Sequence, residues 1–190
     1  SSYMKDINNM IQDKKLLYTI TVHKDPKAYG IVYDKYIEPL YRFVSFKVSS
    51  AEEAQDITSE VFLKVWQHLI SENGKKTRHI RGLLYQTARN TIIDTYRQKA
   101  RRPSTTLEEA GPIPVETDIK EKVNLDQNYQ RLVVSMKQLK QEYQEVLLLR
   151  YIEQMSISEI ADILEKKKSA VRVLIHRAVK KLSSIHSSQE

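Results

Sequence analysis

The sequence predicts an all-α protein of two small helical domains joined by a flexible acidic linker. Three observations lead there. Large apolar residues recur at three- and four-residue spacing wherever they are dense, the period of a helix with one buried face. Between these stretches, residues 103–126 hold Pro103, Pro112, Pro114 and Gly111, few large apolar side chains and no helical period until the end, the composition of a linker. Charge divides at the same places: 18 Lys+Arg against 11 Asp+Glu up to Arg102, 2 against 6 from Pro103 to Asp126, and 11 against 7 beyond. The expected organisation is an N-terminal extension over 1–25, a first domain over 26–102, the linker over 103–126 and a second domain over 127–186.

Each element has its own reason. In the extension, Ile7, Met10, Ile11 and Leu16 suit one short helix. From about Pro26 to Lys47, Tyr29, Val32, Tyr33, Tyr36, Ile37, Leu40, Tyr41 and Val44 give a wide apolar face. Ser50-Ala51-Glu52-Glu53 reads as a capping box, Ser50 covering a free backbone N–H and Glu53 reaching back. It opens a helix to about Leu69 with Ala54, Ile57, Val61, Phe62, Val65, Trp66 and Leu69 inside. On the outside Asp56, Glu60, Leu63 and Gln67 fall at i, i+4, i+7 and i+11, setting a large aliphatic residue among acids and an amide. By spacing alone Leu63 is either an isolated surface leucine or part of a partner surface.

Residues 67–78 lose the period and contain the turn dipeptide Asn73-Gly74 within a basic loop. A helix from about His79 to Lys99 follows, with Ile80, Leu83, Leu84, Thr87, Ala88, Thr91, Ile92 and Thr95 inside and Gln86, Arg89, Asn90 and Arg97 outside. Between Lys75 and Arg102 nine Lys/Arg meet one acid, Asp94, which can pair with Arg97 but cannot neutralise the face. Arg and Asn on one helix surface grip phosphates and base edges.

In the second domain Leu132, Val133, Met136 and Leu139 form the first stripe, and Tyr143, Val146, Leu147, Arg150 and Tyr151 lie on a helix ending near Gln154. A second capping box, Ser156-Ile157-Ser158-Glu159, opens a short helix. After the turn Glu165 to Lys168, a last helix runs from about Ser169 to Leu182. Its inner positions are Val171, Leu174, Ile175, Ala178, Val179 and Leu182; its outer ones are Arg172, Val173, His176, Arg177 and Lys180. A short helix, a tight turn and a basic amphipathic helix make a helix-turn-helix.

The composition narrows the function. Zero cysteines exclude disulfides, thiolate metal sites and a cysteine nucleophile. Five histidines without metal-ligand spacing, and four glycines without a phosphate-cradling loop, leave no cofactor, no metal site and no catalytic residue to nominate. Asp56, Glu60 and Asp94 are spread over two helices and do not read as a nuclease cluster. No window reaches the ~18 apolar residues of a membrane span and no secretory signal opens the chain, so the expected place is the cytoplasm without membrane insertion. A net charge of +7 points to a polyanionic partner.

The motifs carry a resemblance. They are Tyr33-Asp34-Lys35-Tyr36 with Leu40-Tyr41-Arg42-Phe43-Val44; Ala54-Gln55-Asp56-Ile57 and Glu60-Val61-Phe62-Leu63-Lys64-Val65-Trp66; Ala88-Arg89-Asn90-Thr91-Ile92-Ile93-Asp94-Thr95-Tyr96-Arg97; Leu148-Leu149-Arg150-Tyr151; Ser158-Glu159-Ile160-Ala161; and Ala170-Val171-Arg172-Val173-Leu174-Ile175-His176-Arg177-Ala178. In this order, over about Ala28 to Leu182, the chain resembles bacterial RNA polymerase sigma factors of the extracytoplasmic-function (ECF) group, in the sigma-70 superfamily.

The resemblance implies a promoter-specificity subunit, not an enzyme, with core RNA polymerase and promoter DNA as partners. It implies that the first domain looks like sigma region 2, with Asp56, Glu60, Leu63 and Gln67 on the polymerase clamp of the largest subunit. Lys75, Lys76, Arg78, Arg81, Gln86, Arg89, Asn90 and Arg97 would then capture the −10 element. The second domain looks like region 4, expected on the flap of the second-largest subunit, with Lys166, Lys167, Lys168, Ser169, Arg172, Val173, His176, Arg177 and Lys180 on the −35 element. Acidic Glu108, Glu109, Glu116 and Asp118 of the linker suit a basic nucleic-acid channel, and an anti-sigma factor or other recruiter is a further partner of the pattern. Residues 1–25 have no counterpart in it. Glu165 stands where many members have glycine; a non-glycine residue in a left-handed conformation costs about 1 kcal/mol, so a differently shaped turn is expected. Trp66 is a core residue or a melting wedge, and Tyr85 and Tyr96 pack or stack on bases. The rival from another class is a conventional helix-turn-helix regulator that binds duplex DNA without polymerase.

Overall fold

The computed structural model describes residues 2–101 and 127–188; the linker expected over 103–126, and Arg102, lie outside the described residues. The chain divides into two compact units that part between Glu109 and Ala110. Both are helical, with no strand among the described residues.

The first unit contains α1 (Ser2–His23), α2 (Pro26–Ser45), α3 (Ala51–Ile70), a 3-10 turn (Glu72–Lys76) and α4 (Ile80–Arg101). Left-handed Lys24 ends α1, its N–H reaching the Ile20 carbonyl at 2.9 Å. Asp25 then caps α2 by accepting from the Lys27 N–H, and Pro26 sits at the helix start, where no partner for its missing N–H is needed. The expected stripes form the core: Val32, Leu40 and Val44 of α2, Ala54, Val61, Val65 and Leu69 of α3, and Leu84 and Ala88 of α4 are wholly buried.

Four sequence expectations change here. The extension is a full helix, and its Met10 and Ile11 are exposed while Leu16, Leu17, Ile20 and Thr21 are buried. The half of α1 that docks is therefore the C-terminal half, which packs on α2, α3, α4 and the 3-10 turn. Glu53 does not close its box on Ser50: Ser50 accepts from the Glu53 N–H at 3.1 Å, but the Glu53 carboxylate takes the N–H and hydroxyl of Ser49 instead. Trp66 is half-buried, its ring 5.1 Å from that of Tyr29, whose hydroxyl donates to the Phe62 carbonyl. On α4, Leu83, Thr87 and Thr95 are only half-buried, whereas Tyr85, at 1% exposure, fills the core against Phe43.

The second unit contains α5 (Gln127–Lys137), α6 (Gln141–Leu147), α7 (Ile157–Leu164) and α8 (Lys168–Ser187). Buried Gln144 ties α6 to the preceding turn through the carbonyls of Lys137 and Leu139. A π-helical turn, Leu148–Ile152, continues α6, with the Glu153 N–H bonded five residues back to Leu148. Val146, Leu147, Leu148 and Leu149 are buried in succession along α6 and this turn, which one-faced helical spacing does not foresee. The Ser156 box closes in both directions, as the sequence indicates. Two stripe residues are out of place: Leu132 and Val179, expected inside, are exposed.

The turn after α7 answers the expectation about Glu165. It is left-handed (φ 54, ψ 43), the conformation a glycine would supply, and not a different shape. Its N–H reaches back to Asp162 and the Lys166 N–H to Ala161 at 2.9 Å, the paired bonds of a Schellman motif. Those bonds satisfy carbonyls that would otherwise be left open, and so offset the strain. Two variants check this by equilibrium unfolding. Glu165→Gly should hold or raise stability; Glu165→Val, with a branched Cβ in the left-handed region, should lower it by about 1 kcal/mol or more.

Candidate nucleic-acid and partner interfaces

The outer face of α3 is placed by its inner one. With Ala54, Ile57, Val61, Val65 and Leu69 sealed inside, Asp56, Glu60, Leu63 and Gln67 all point outward, and Leu63 is 56% exposed. Glu60 pairs with Lys64 at 2.6 Å one turn along, and Lys64 also reaches the Thr91 hydroxyl of α4 at 3.4 Å. Both Glu60 and Lys64 are largely exposed, so the pair is weak and Glu60 can exchange it for another cation.

The basic loop is built on the end of α3. A Cβ added to Gly74 would stand 2.0 Å from the Leu69 carbonyl oxygen, so Gly74 is required by close approach; no glycine among the described residues has a positive φ. Ser71 donates to the His68 carbonyl at 2.6 Å, and the His68 Nε2 and the Thr77 hydroxyl lie 3.2 Å apart, closing the loop at both ends. Lys75, Lys76 and Arg78 are left exposed on it. On α4 the expected outer face is graded: Asn90 and Arg97 are exposed, while Arg81, Gln86 and Arg89 are half-buried and engaged within the protein. Tyr85 is buried, and half-exposed Tyr96 donates to the Lys47 carbonyl at 2.8 Å.

A polar clasp that spacing did not reveal fixes α4 on α3. Lys99 of α4 pairs with Glu53 of α3, which also holds Ser49. Burial alone would raise the Glu53 pKa, but the bonds from Lys99 and Ser49 outweigh it and hold the carboxyl below its ordinary value.

In the second unit α8 packs on α5, α6 and α7, and only Val171 and Ala178 of it are fully buried. Arg172, Val173, His176, Arg177 and Lys180 are exposed, as are Lys166, Lys167, Lys168 and Ser169 in the turn and first helical residues. They divide between two grooves. Arg172 and His176 line one with Arg150, Tyr151 and Ile157; Val173 and Arg177 line the other with Lys166, Ser169 and Tyr143. Arg172 and His176 thus lie on one side of the exposed face of α8, and Val173 and Arg177 on the other.

Two matches, in this order and each within one unit, decide the family: residues 32–102 fit Sigma-70 region 2 and residues 129–182 fit Sigma-70, region 4. The chain belongs to the sigma-70 family. Helix α1 lies wholly ahead of the region 2 match. Among relatives, the chain is 28% identical over 159 residues to the ECF RNA polymerase sigma factor BldN of Streptomyces coelicolor, covering 83% of this chain and 60% of BldN. It is 28% identical over 149 residues to the RNA polymerase sigma factor YlaC of Bacillus subtilis, covering 77% of this chain and 85% of YlaC. CnrH, solved in complex with the cytosolic domain of CnrY, shares the fold at a TM-score of 0.68 and 20% identity, covering 94% of this chain and 99% of CnrH. The sigma factor RpoE of Bartonella quintana, solved with the anti-sigma factor NepR, shares it at a TM-score of 0.62 and 13% identity, covering 86% and 99%.

The Glu53 clasp of this sigma-70 member has a measurable consequence. A carboxyl whose folded pKa is depressed contributes stability that is present above its unfolded value and lost as pH falls through the folded one. Glu53→Gln should lower stability at pH 7 by about 1 kcal/mol, since one of the partners is well exposed. It should also flatten the loss of stability on acidification below the ordinary carboxylate range. Chemical denaturation at several pH values reads both.

Proposed function

We propose that this chain is the promoter-specificity subunit of a bacterial RNA polymerase, one that binds the core enzyme, recognises a two-part promoter and directs initiation without catalysis of its own. The observation that carries the reading is the pairing of region 2 and region 4 matches with two separate units, each presenting a basic helix face. In this reading residues 26–102 hold the polymerase clamp through Asp56, Glu60, Leu63 and Gln67. The loop residues Lys75, Lys76 and Arg78, with Arg81, Gln86, Arg89, Asn90 and Arg97, take the −10 element. Residues 127–186 meet the flap and the −35 element, and the acidic segment 103–126 passes through the polymerase. An anti-sigma factor or similar recruiter regulates access, and the work is done in the cytoplasm beside polymerase. No helix among the described residues is long and apolar enough to cross a membrane.

Within this scheme α8 divides its labour by side-chain type. Arg172, Val173 and His176 stand near its N-terminus, the end that approaches base edges. Lys166, Lys167, Lys168 and Lys180 serve phosphates as mobile point charges.

Two experiments test the scheme. Reversing the charges of Asp56 and Glu60 should weaken binding to core polymerase while far-UV circular dichroism stays unchanged, because both side chains are exposed; unchanged affinity would remove that face from the interface. For the upstream contact, Arg172→Ala should alter which sequences are accepted, by about 1 to 3 kcal/mol for a bidentate base contact. Neutralising Lys166, Lys167 and Lys168 should instead weaken all promoters nearly alike and flatten the salt dependence. Transcription from a library randomised across the upstream element, at two salt concentrations, separates the two; an Arg172 variant with unaltered preference would take α8 out of base reading.

A further inference from the structure

Lys64 of α3 joins two faces of the first unit that the sequence treats separately. Its ammonium pairs with Glu60 at 2.6 Å, one turn back along the acidic outer face. The same ammonium donates to the Thr91 hydroxyl at 3.4 Å, across the seam between α3 and α4. Thr91 is buried, whereas the Lys64 and Glu60 side chains keep 43% and 49% of their surface exposed. On α4, Thr87, Asn90, Thr91 and Asp94 fall at i, i+3, i+4 and i+7 and so share one side of the helix. The Lys64 ammonium therefore stands where the outer face of α3 meets the flank of α4 that carries exposed Asn90.

We infer that Lys64 is a further phosphate contact of the promoter strand, one that Glu60 neutralises in the free chain and releases when polymerase docks. This rests on the polymerase- and promoter-binding readings above and couples one to the other. The Glu60 pair is exposed and weak, so a cation on the docking partner competes for that carboxylate on nearly equal terms. Once Glu60 has turned to the new cation, the Lys64 charge is no longer cancelled. The Thr91 hydroxyl holds the ammonium at the seam, so the uncovered charge stays beside Asn90. A lysine suits this place, since its three donors can keep Thr91 and take a phosphate oxygen together. Exposed Asp94, at i+3 from Thr91, is the rival acceptor for the released ammonium.

Two binding assays test it, each at about 50 and 200 mM salt. In the first, core enzyme saturated with each chain binds a promoter fragment that the wild-type holoenzyme selects from a randomised pool. Lys64→Met should lose about threefold less affinity than wild type over the salt range, the share of one phosphate contact. Lys64→Arg should keep the wild-type slope. In the second assay the free chain binds a single-stranded oligonucleotide from the downstream half of that fragment. Here Lys64→Met should match wild type, because Glu60 already cancels the charge. Glu60→Gln should imitate docking and steepen the loss by about threefold over the same range, and adding Lys64→Met should return it to the wild-type value. Both side chains are exposed, so every variant should keep the wild-type far-UV circular dichroism. A Lys64→Met holoenzyme with the wild-type slope overturns the inference, as does a free Lys64→Met chain whose slope is already shallower. So does a Glu60→Gln gain that is absent, which hands the ammonium to Asp94, or that survives the loss of Lys64, which makes it an effect of overall charge. Failure of the wild-type holoenzyme to select any promoter would instead overturn the promoter-binding reading, and unchanged polymerase affinity on reversing Asp56 and Glu60 the docking reading.

Discussion

Burial of one stripe of α3 is the constraint on which the first unit depends. Ala54, Val61, Val65 and Leu69 have no exposed surface, and α1, α2, α4 and the 3-10 turn all pack on this helix. Each large aliphatic side chain so buried contributes about 1.5 to 3 kcal/mol, more than any surface ion pair here can supply. Once that face is sealed, rotation of α3 is no longer free, and Asp56, Glu60, Leu63 and Gln67 must stand outside. The same helix carries the basic loop, because Gly74 lies against the Leu69 carbonyl. It also anchors α4 through Glu53 and Lys99. The acidic outer face of α3 and the basic loop beside it are thus consequences of one packing decision.

The second unit places its functional helix with less buried surface. Only Val171 and Ala178 of α8 are fully enclosed, while Leu174 and Ile175 are half-covered. Polar devices make up part of the difference: the closed Ser156 box, the Schellman bonds around Glu165, and Arg150, which donates to the Met155 carbonyl at 2.8 Å across the connection after the π turn. The outer side of α8 is left open between two grooves, as the proposed contact with DNA would need.

Most of this was legible in the sequence, because helical periodicity and capping chemistry are local. Ser156 and Glu159 closed as a box, and the inner stripe of α3 is buried nearly residue for residue; of the face expected on α2, Val32, Tyr36, Leu40 and Val44 are buried, Tyr29, Ile37 and Tyr41 half-buried, and Tyr33 is exposed. What escaped depends on contacts far apart in the chain. Glu53 had a nearer claim on Ser49 and a distant one on Lys99, which outcompeted Ser50. In α1, Ile7, Met10, Ile11 and Leu16 suggested a face, but the buried residues are Leu16, Leu17, Ile20 and Thr21, with Asp13 held by Lys35 and Tyr36 of α2. The unbroken buried run from Gln144 to Leu149, across the end of α6 and the π turn, is likewise not announced by one-faced helical spacing.

The central claim is that two modest DNA-binding units become one strong reader when a polymerase sets their separation. Equilibrium binding of the same promoter duplex to the free chain and to the chain with core polymerase, at physiological salt, tests it most directly. Each unit alone offers a few phosphate contacts, so the free chain should bind no tighter than about micromolar, the range of non-specific association. Joined to the core enzyme, the second contact becomes effectively intramolecular and affinity should rise by about a hundredfold or more. Nanomolar binding by the free chain, unchanged when polymerase is added, would contradict the account.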